Sequence, residues 1–267
     1  MKNKRRDFLK FSGMAGLAIA GDGFLGGFAQ ANEFPKPNFQ SSLSFDHSRY
    51  AINEQIKQNF EIAKSILKPS QKQLERGLEL HMNSLVIDCY GFMPSAAPNA
   101  ALINSAIDSK ASQLELQDMM ESQSMTRFVL DKREREELEN AWKASGVTCV
   151  VQNTGEEGNG ISRLLKRLAN FTYSTDMMSD FVSKAVKPED ILRAKKENRH
   201  ALYFTGNGVP LPQDWISVED ELRYISVFFH LGIRMMHLTY NRRNVIGDGC
   251  AEKANGGLSD FGREVVK

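Results

Sequence analysis

Four short apolar runs, at residues 85–89, 147–151, 201–204 and 235–239, constrain this chain more than any other feature. Runs this short and this continuously apolar suit strands buried on both faces, because a half-exposed strand would alternate and a helix would need more length. No two of them are joined by a hairpin turn; a helical stretch stands between each pair. Strands separated by helices must cross over and pair in parallel. The sequence therefore predicts an α/β fold on a parallel sheet, with Val86, Ile87, Val147, Val150, Leu202, Phe204, Met236 and Leu238 mostly buried.

The helices can be placed from their stops and starts. Residues 52–67 and 71–82 form two, separated by Pro69, and a charged helix over 131–145 stops at Gly146. Another covers 161–171, with Arg163, Lys166 and Arg167 read as a solvated face. Pro188 opens a helix that ends by Asn198, at the first-turn position proline tolerates. Ser217 and Asp220 have capping-box spacing for a helix to about residue 230. Residues 96–124, poor in large apolar side chains, read as an insertion with a weak helix near its end.

In parallel α/β proteins ligands bind on the loops leaving the C-terminal ends of the strands. Tyr90 and Phe92 follow the first run, Asn153 the second, Gly206 and Asn207 the third, and Tyr240, Asn241, Asn244 and Asp248 the fourth. These are the candidate site residues. His81, His200, His230 and His237 show no H-E-x-x-H or H-x-H spacing, so His237 reads as a hydrogen-bonded core or interface residue rather than a ligand.

One stretch carries more. Gly232, Arg234, Leu238, Thr239, Tyr240 and Asn241, then Gly257, Leu258, Ser259, Phe261, Gly262, Val265 and Val266, match a G-x-R-x-x-x-L-T-H-N segment followed by G-L-S/T-x-F-G-x-x-V-V. The chain thus resembles the membrane (renal) dipeptidase family, peptidase family M19, in a divergent bacterial branch. That resemblance implies a TIM-type (β/α)8 barrel, a metal-dependent hydrolase of dipeptides, and two zinc ions at the mouth of the barrel. It implies a small peptide substrate and admits a homodimer. A barrel of this type takes ~250 residues, and only about four β/α units are legible over residues 32–267. The chain therefore reads as the N-terminal part of a longer family member, with further His ligands expected beyond Lys267.

The resemblance also exposes substitutions. Where the family has D-G-H-x-D after its first strand, this chain has Asp88, Cys89, Tyr90, Gly91 and Phe92, so Tyr90 and Phe92 stand in place of a His and an Asp ligand. Where the family has E-G-G, the text is Thr205, Gly206, Asn207 and Gly208. Gly206 then takes the place of the bridging glutamate, or Asn207 does if the register slips by one. Tyr240 replaces a His that stabilises the oxyanion, a task a phenol can share; equally, it is an aromatic cap over the mouth. Tyr240 and Asn241 are the expected catalytic positions, and Asn153, Asn207, Asn244 and Asp248 the substrate-binding ones. Two readings follow: a metallodipeptidase with an altered zinc site, or a barrel that binds a small peptide or amino-acid-like ligand without cleaving it.

Composition excludes other classes. A net charge of +1 with scattered basic residues offers no footprint for nucleic acid. Cys89, Cys149 and Cys250 have no C-x-x-C spacing for a structural zinc site.

The first residues are set apart from the fold. Lys4, Arg5, Arg6, Asp7, Phe8, Leu9 and Lys10 match a twin-arginine signal, followed by a Gly/Ala-rich apolar run to Phe28 and an A-x-A site at Ala29, Gln30 and Ala31. The expected route is export to the periplasm by the twin-arginine machinery, with cleavage before Asn32 or retention of the segment as an anchor. Replacing Arg5 and Arg6 together with lysine should leave the precursor inside the cell, as read by fractionation and blotting; unchanged export would contradict the signal.

Overall fold

The computed structural model describes residues 52–155 and 157–267; the twin-arginine segment at 1–31 and the arm following it to residue 50 lie outside the described residues. Helices α1 (Glu54–Leu67) and α2 (Gln71–Asn83) lead into strand β1 (Ile87–Gly91). Helices α3 (Ala100–Asp108), α4 (Gln113–Leu130) and α5 (Lys132–Ser145) precede β2 (Cys149–Asn153). Then come α6 (Ile161–Met177), β3 (Val182–Ala185), α7 (Pro188–Lys196), β4 (His200–Gly206), α8 (Val218–Leu231), β5 (Met235–Met236) and α9 (Asp260–Val266). Among the described residues no helix is long and apolar enough to cross a membrane.

All strand pairs are parallel, in the order β1-β2-β4-β3, with β5 also on β4. β2 occupies one edge of β4 along Ala201 to Thr205. β3 pairs the first half of the other edge, from His200 to Tyr203, and β5 pairs its end at Thr205 and Gly206. The run at 182–185 was not expected as a strand, since Ser183 and Lys184 interrupt its apolarity. The fourth expected run forms a strand only at Met235 and Met236, because its partner β4 turns away after Gly206.

Alternation along the strands sorts the core into two faces. Val150, Leu202 and Phe204 pack with Trp142, Leu164, Leu168, Phe171 and Phe228 from α5, α6 and α8. Cys149, Ala185 and Ala201 face the other way, against Ile191 and Ala194 of α7, where small side chains let the short helix approach. Burial of Val150, Leu202 and Phe204 matches the expectation, whereas Val86, Val147 and Met236 are half-buried. Ile87 and Leu238 are corrections: they are 38% and 37% exposed, because β1 is an edge strand and Leu238 lies past the end of β5.

The insertion is also more ordered than its composition suggests. Asn99 caps α3, and Ser112 and Glu115 form a reciprocal capping box at the start of α4. α4 then lies along α6. Glu121 accepts hydrogen bonds from Arg163 Nε at 3.2 Å and from an Arg167 guanidinium nitrogen at 2.9 Å, and Asp118 pairs with Lys166. Arg163 and Arg167 therefore make an interhelical contact, whereas Lys166 remains solvated beside it. At α8 only Ser217 makes its half of the expected box, accepting from Asp220 N at 3.0 Å. The buried Glu221 instead takes Gln213 N and Trp215 N, at 2.9 and 2.8 Å, tying the loop before the helix to its first turn.

Phe204 and Ile87 make a direct test of this core. Phe204→Ala should cost about 3–5 kcal/mol in equilibrium denaturation, since it empties a fully buried site. Ile87→Ala should cost about 1 kcal/mol or less, because its side chain is already partly in water. Equal costs would contradict the placement of β1 at the edge.

Candidate functional site

Parallel pairing brings the loops after β1, β2, β4 and β5 to one end of the sheet, and they pack with little room between backbones. A Cβ on Gly208 would meet the Gly158 carbonyl oxygen at 1.8 Å, and one on Gly155 would meet Asn207 N at 2.5 Å. Thr154 N and Oγ1 both donate to Thr205 O at 2.9 Å, and Asn159 Nδ2 donates to Val209 O at 2.8 Å. Only glycine permits the two loops to cross at this distance.

Tyr90 reaches this end through an irregularity in β1. Asp88 pairs with Val150, but the next pair is Gly91 with Gln152, so β1 carries one extra residue. A bulge of this kind re-aims side chains. Asp88 Oδ1 accepts from Tyr90 N at 3.3 Å, holding the kink, and Gly91 has no room for a Cβ beside that carboxylate.

The Tyr90 ring meets the imidazole of His237, with centroids 4.8 Å apart. β1 and β5 are separated by β2 and β4, which in a flat sheet would put them about 14 Å apart. Both side chains therefore project to the same face of a sheet curled toward them. Tyr240 also stacks on His237, with ring centroids 6.3 Å apart and planes 18° from parallel. Asn207, from the end of β4, places Oδ1 3.1 Å from His237 Nδ1.

Three expected residues, Tyr90, Asn207 and Tyr240, are thus brought together, and His237 links them. Sequence reasoning set His237 aside because a lone histidine carries no spacing signal. Its place one residue past the β5 ladder, in the same loop as Tyr240, was the available clue.

The remaining candidates lie in the same loops, with their polar atoms engaged locally. Asn153 Oδ1 accepts from Gly155 N at 2.9 Å, and the neighbouring Gln152 bridges Met93 N and Asn153 O at 2.7 Å each. Asn241 Nδ2 reaches Glu157 at 3.4 Å, while Arg242 N donates to the same carboxylate at 2.7 Å, joining the β5 loop to the β2 loop. Asn244 accepts from Ile246 N and Gly247 N and donates to Leu238 O at 3.0 Å. Asp248 pairs with Arg243 and accepts from Gly256 N, and these bonds hold its carboxyl below the usual range. Asn244 and Asp248 therefore shape the loop that carries Tyr240.

The described residues at the expected ligand positions do not by themselves supply a zinc pair. Phe92 has no ligating atom and is 68% exposed. A Cβ on Gly206 would meet the Gly208 carbonyl oxygen at 2.9 Å, so the loop occupies the space a glutamate there would need. Among the described residues no three His, Cys, Asp or Glu side chains come together as a metal group.

The Tyr90 hydroxyl is out of contact with solvent and lacks a hydrogen-bond partner among the described residues. Burial raises its pKa above 10.0, and Tyr240 adds to the rise. A folded-state pKa above the unfolded one makes the folded form hold its proton longer, so stability falls as pH climbs from about 10 through the folded value. Tyr90→Phe should remove that part of the alkaline decline and the latest phenolate step in an ultraviolet titration. An unchanged titration would place the Tyr90 hydroxyl in water.

The model of the membrane dipeptidase family, peptidase family M19, matches residues 74–267. No curated protein matches the chain. Among solved structures, an amidohydrolase from Pseudomonas aeruginosa aligns at 23% identity and a TM-score of 0.44, over 70% of this chain and 43% of that one. The chain thus spans less than half the length of that solved protein. With the family model covering most of its length, from α2 to the last residue, this chain belongs to the membrane dipeptidase family.

Proposed function

We propose that the chain contributes the strand-end site of an exported hydrolase that takes a dipeptide and cleaves its amide bond. Membership in a dipeptidase family supports the reaction class. The observation that carries the site is the convergence of Tyr90, Asn207, His237 and Tyr240 from three strand ends onto one face. Aromatic faces and neutral hydrogen-bonding groups suit a small peptide: rings bound its side chains, and hydroxyl and imidazole groups meet its carbonyl and amide.

On this reading the four strands β1, β2, β4 and β5 are the first part of a (β/α)8 barrel, and β3 is an added strand beside β4. Tyr240, 44% exposed, lines the mouth and donates to the oxygen on which charge develops. Asn241 fixes the loop behind it through Glu157. A second reading, binding without cleavage, draws support from the positions of Tyr90, Phe92 and Gly206, which offer none of the ligands they replace.

Release of free alanine from L-Ala-L-Ala by the purified chain tests the choice. Hydrolysis should be measurable, and Tyr240→Phe should lower kcat on the order of 10²-fold with KM little changed. Calorimetric binding of the dipeptide with no release of alanine would remove the hydrolase reading and leave the second one.

A further inference from the structure

The end of the sheet away from the strand-end site has a cavity of its own. It measures about 510 Å³, within the range that holds small organic ligands. It lies between the N-terminal ends of β2 and β4 and the last turns of α5 and α7. Its wall joins an apolar part, with Val147 and Phe181, to a basic part made by Lys143, Lys195, Arg199 and His200. Among the described residues no carboxylate lines it. Lys143 shares Glu139 with Arg135, and Arg199 pairs with Glu197, but both acids stand outside the wall. Lys195 donates to Met82 O at 2.7 Å and so ties α7 to the end of α2.

His200 is the most constrained of the basic groups. Its ring stacks on Trp142, with centroids 4.6 Å apart and planes 12° from parallel, and tilts against Phe181 at 4.8 Å. Nδ1 lies 2.8 Å from Val147 O, and a carbonyl only accepts, so Nδ1 carries the proton. Nε2 is then a lone pair in the neutral ring and a second donor in the charged one. Burial holds the ring's pKa below the usual histidine value against the Val147 bond; Lys143 and Lys195 add to the depression and Glu139 opposes it. From α2, His81 is engaged at Ser145 O. An anion in the cavity would meet these cations without a competing carboxylate in the wall, and would offset the repulsion that keeps His200 neutral.

We propose that this cavity is a binding site for a small organic carboxylate, its charged head on the basic part of the wall and its apolar body against Phe181 and Val147. An amino acid or a dipeptide also carries an ammonium group, which the same cations repel. The site therefore selects against the ligand of the strand-end site, and it stands independently of the hydrolase reading.

The test uses the full chain carrying Trp215→Phe, which leaves Trp142, in the cavity wall, as the sole tryptophan. 3-Phenylpropionate should change its emission saturably, and should bind more tightly as pH falls from about 8 to about 6, because a charged His200 adds a donor. L-Phenylalanine has the same ring and carboxylate with an added ammonium, and should bind at least about tenfold more weakly. Lys143→Glu, at a half-exposed position, should weaken 3-phenylpropionate by about tenfold or more with circular dichroism unchanged. His200→Gln should remove the pH dependence. Should that variant not fold, imidazole resonances of the unmodified ring carry the same point: the ligand should move His200 and leave His237 in place. Absence of saturable binding, equal binding of L-phenylalanine, indifference to Lys143→Glu, or movement of His237 alone would overturn the proposal. Inorganic phosphate binding as tightly as 3-phenylpropionate would overturn it too, since the apolar body would then contribute nothing.

Discussion

The pairing of β4 on both edges is the constraint on which the rest of the structure depends. β4 takes β2 along one side and both β3 and β5 along the other, so every strand but β1 is registered directly against it. The strand is built for that place: Ala201, Leu202, Phe204 and Thr205 are fully buried, and small and large residues alternate between its faces. Parallel register fixes direction, and direction puts the ends of β1, β2, β4 and β5 at the same side. Tyr90, Asn207, His237 and Tyr240 meet because of that register, not because of proximity in sequence.

The tight approach of the loops then decides what chemistry the site can hold. The β4 loop crosses the β2 loop at Gly208 and Gly158 and returns over Gly206, so the backbone fills space that a metal-binding carboxylate would need. The bulge in β1 brings a phenol inward and leaves Phe92 outside. What remains is a cluster of rings with one imidazole, one buried hydroxyl and one amide. The β5 loop is held by its own polar residues: Asn244 closes its turn, Asp248 pairs with Arg243, and Glu157 joins it to the β2 loop.

Much of the fold was legible from apolar runs and helix signals, because burial on both faces and capping chemistry leave marks at fixed positions. Phe204 and Leu202 could be placed in the core from the run alone. Ile87 and Leu238 could not, since an edge strand and an interior strand have the same composition until the neighbours are known. β3 escaped notice because Ser183 and Lys184 break its pattern, and the length of α4, expected only as a weak helix, because its stability comes from the Ser112–Glu115 box and from Glu121 meeting Arg163 and Arg167 on α6. In the site, Tyr90, Asn207 and Tyr240 were placed by strand-end reasoning. His237 was not, because its role depends on a curled sheet that brings two strand edges into contact.

A set of histidines distributed over the two ends of the sheet allows one measurement to test the location of the site. His237 lies at the loop end, whereas His81 Nε2 contacts Ser145 O and His200 Nδ1 contacts Val147 O, both at 2.8 Å and both at the opposite end. Titrating L-Ala-L-Ala into the protein while following imidazole proton resonances should move His237 alone, by way of a changed ring environment between Tyr90 and Tyr240. Movement of His81 or His200 with His237 unchanged would contradict a ligand site at the C-terminal ends of the strands.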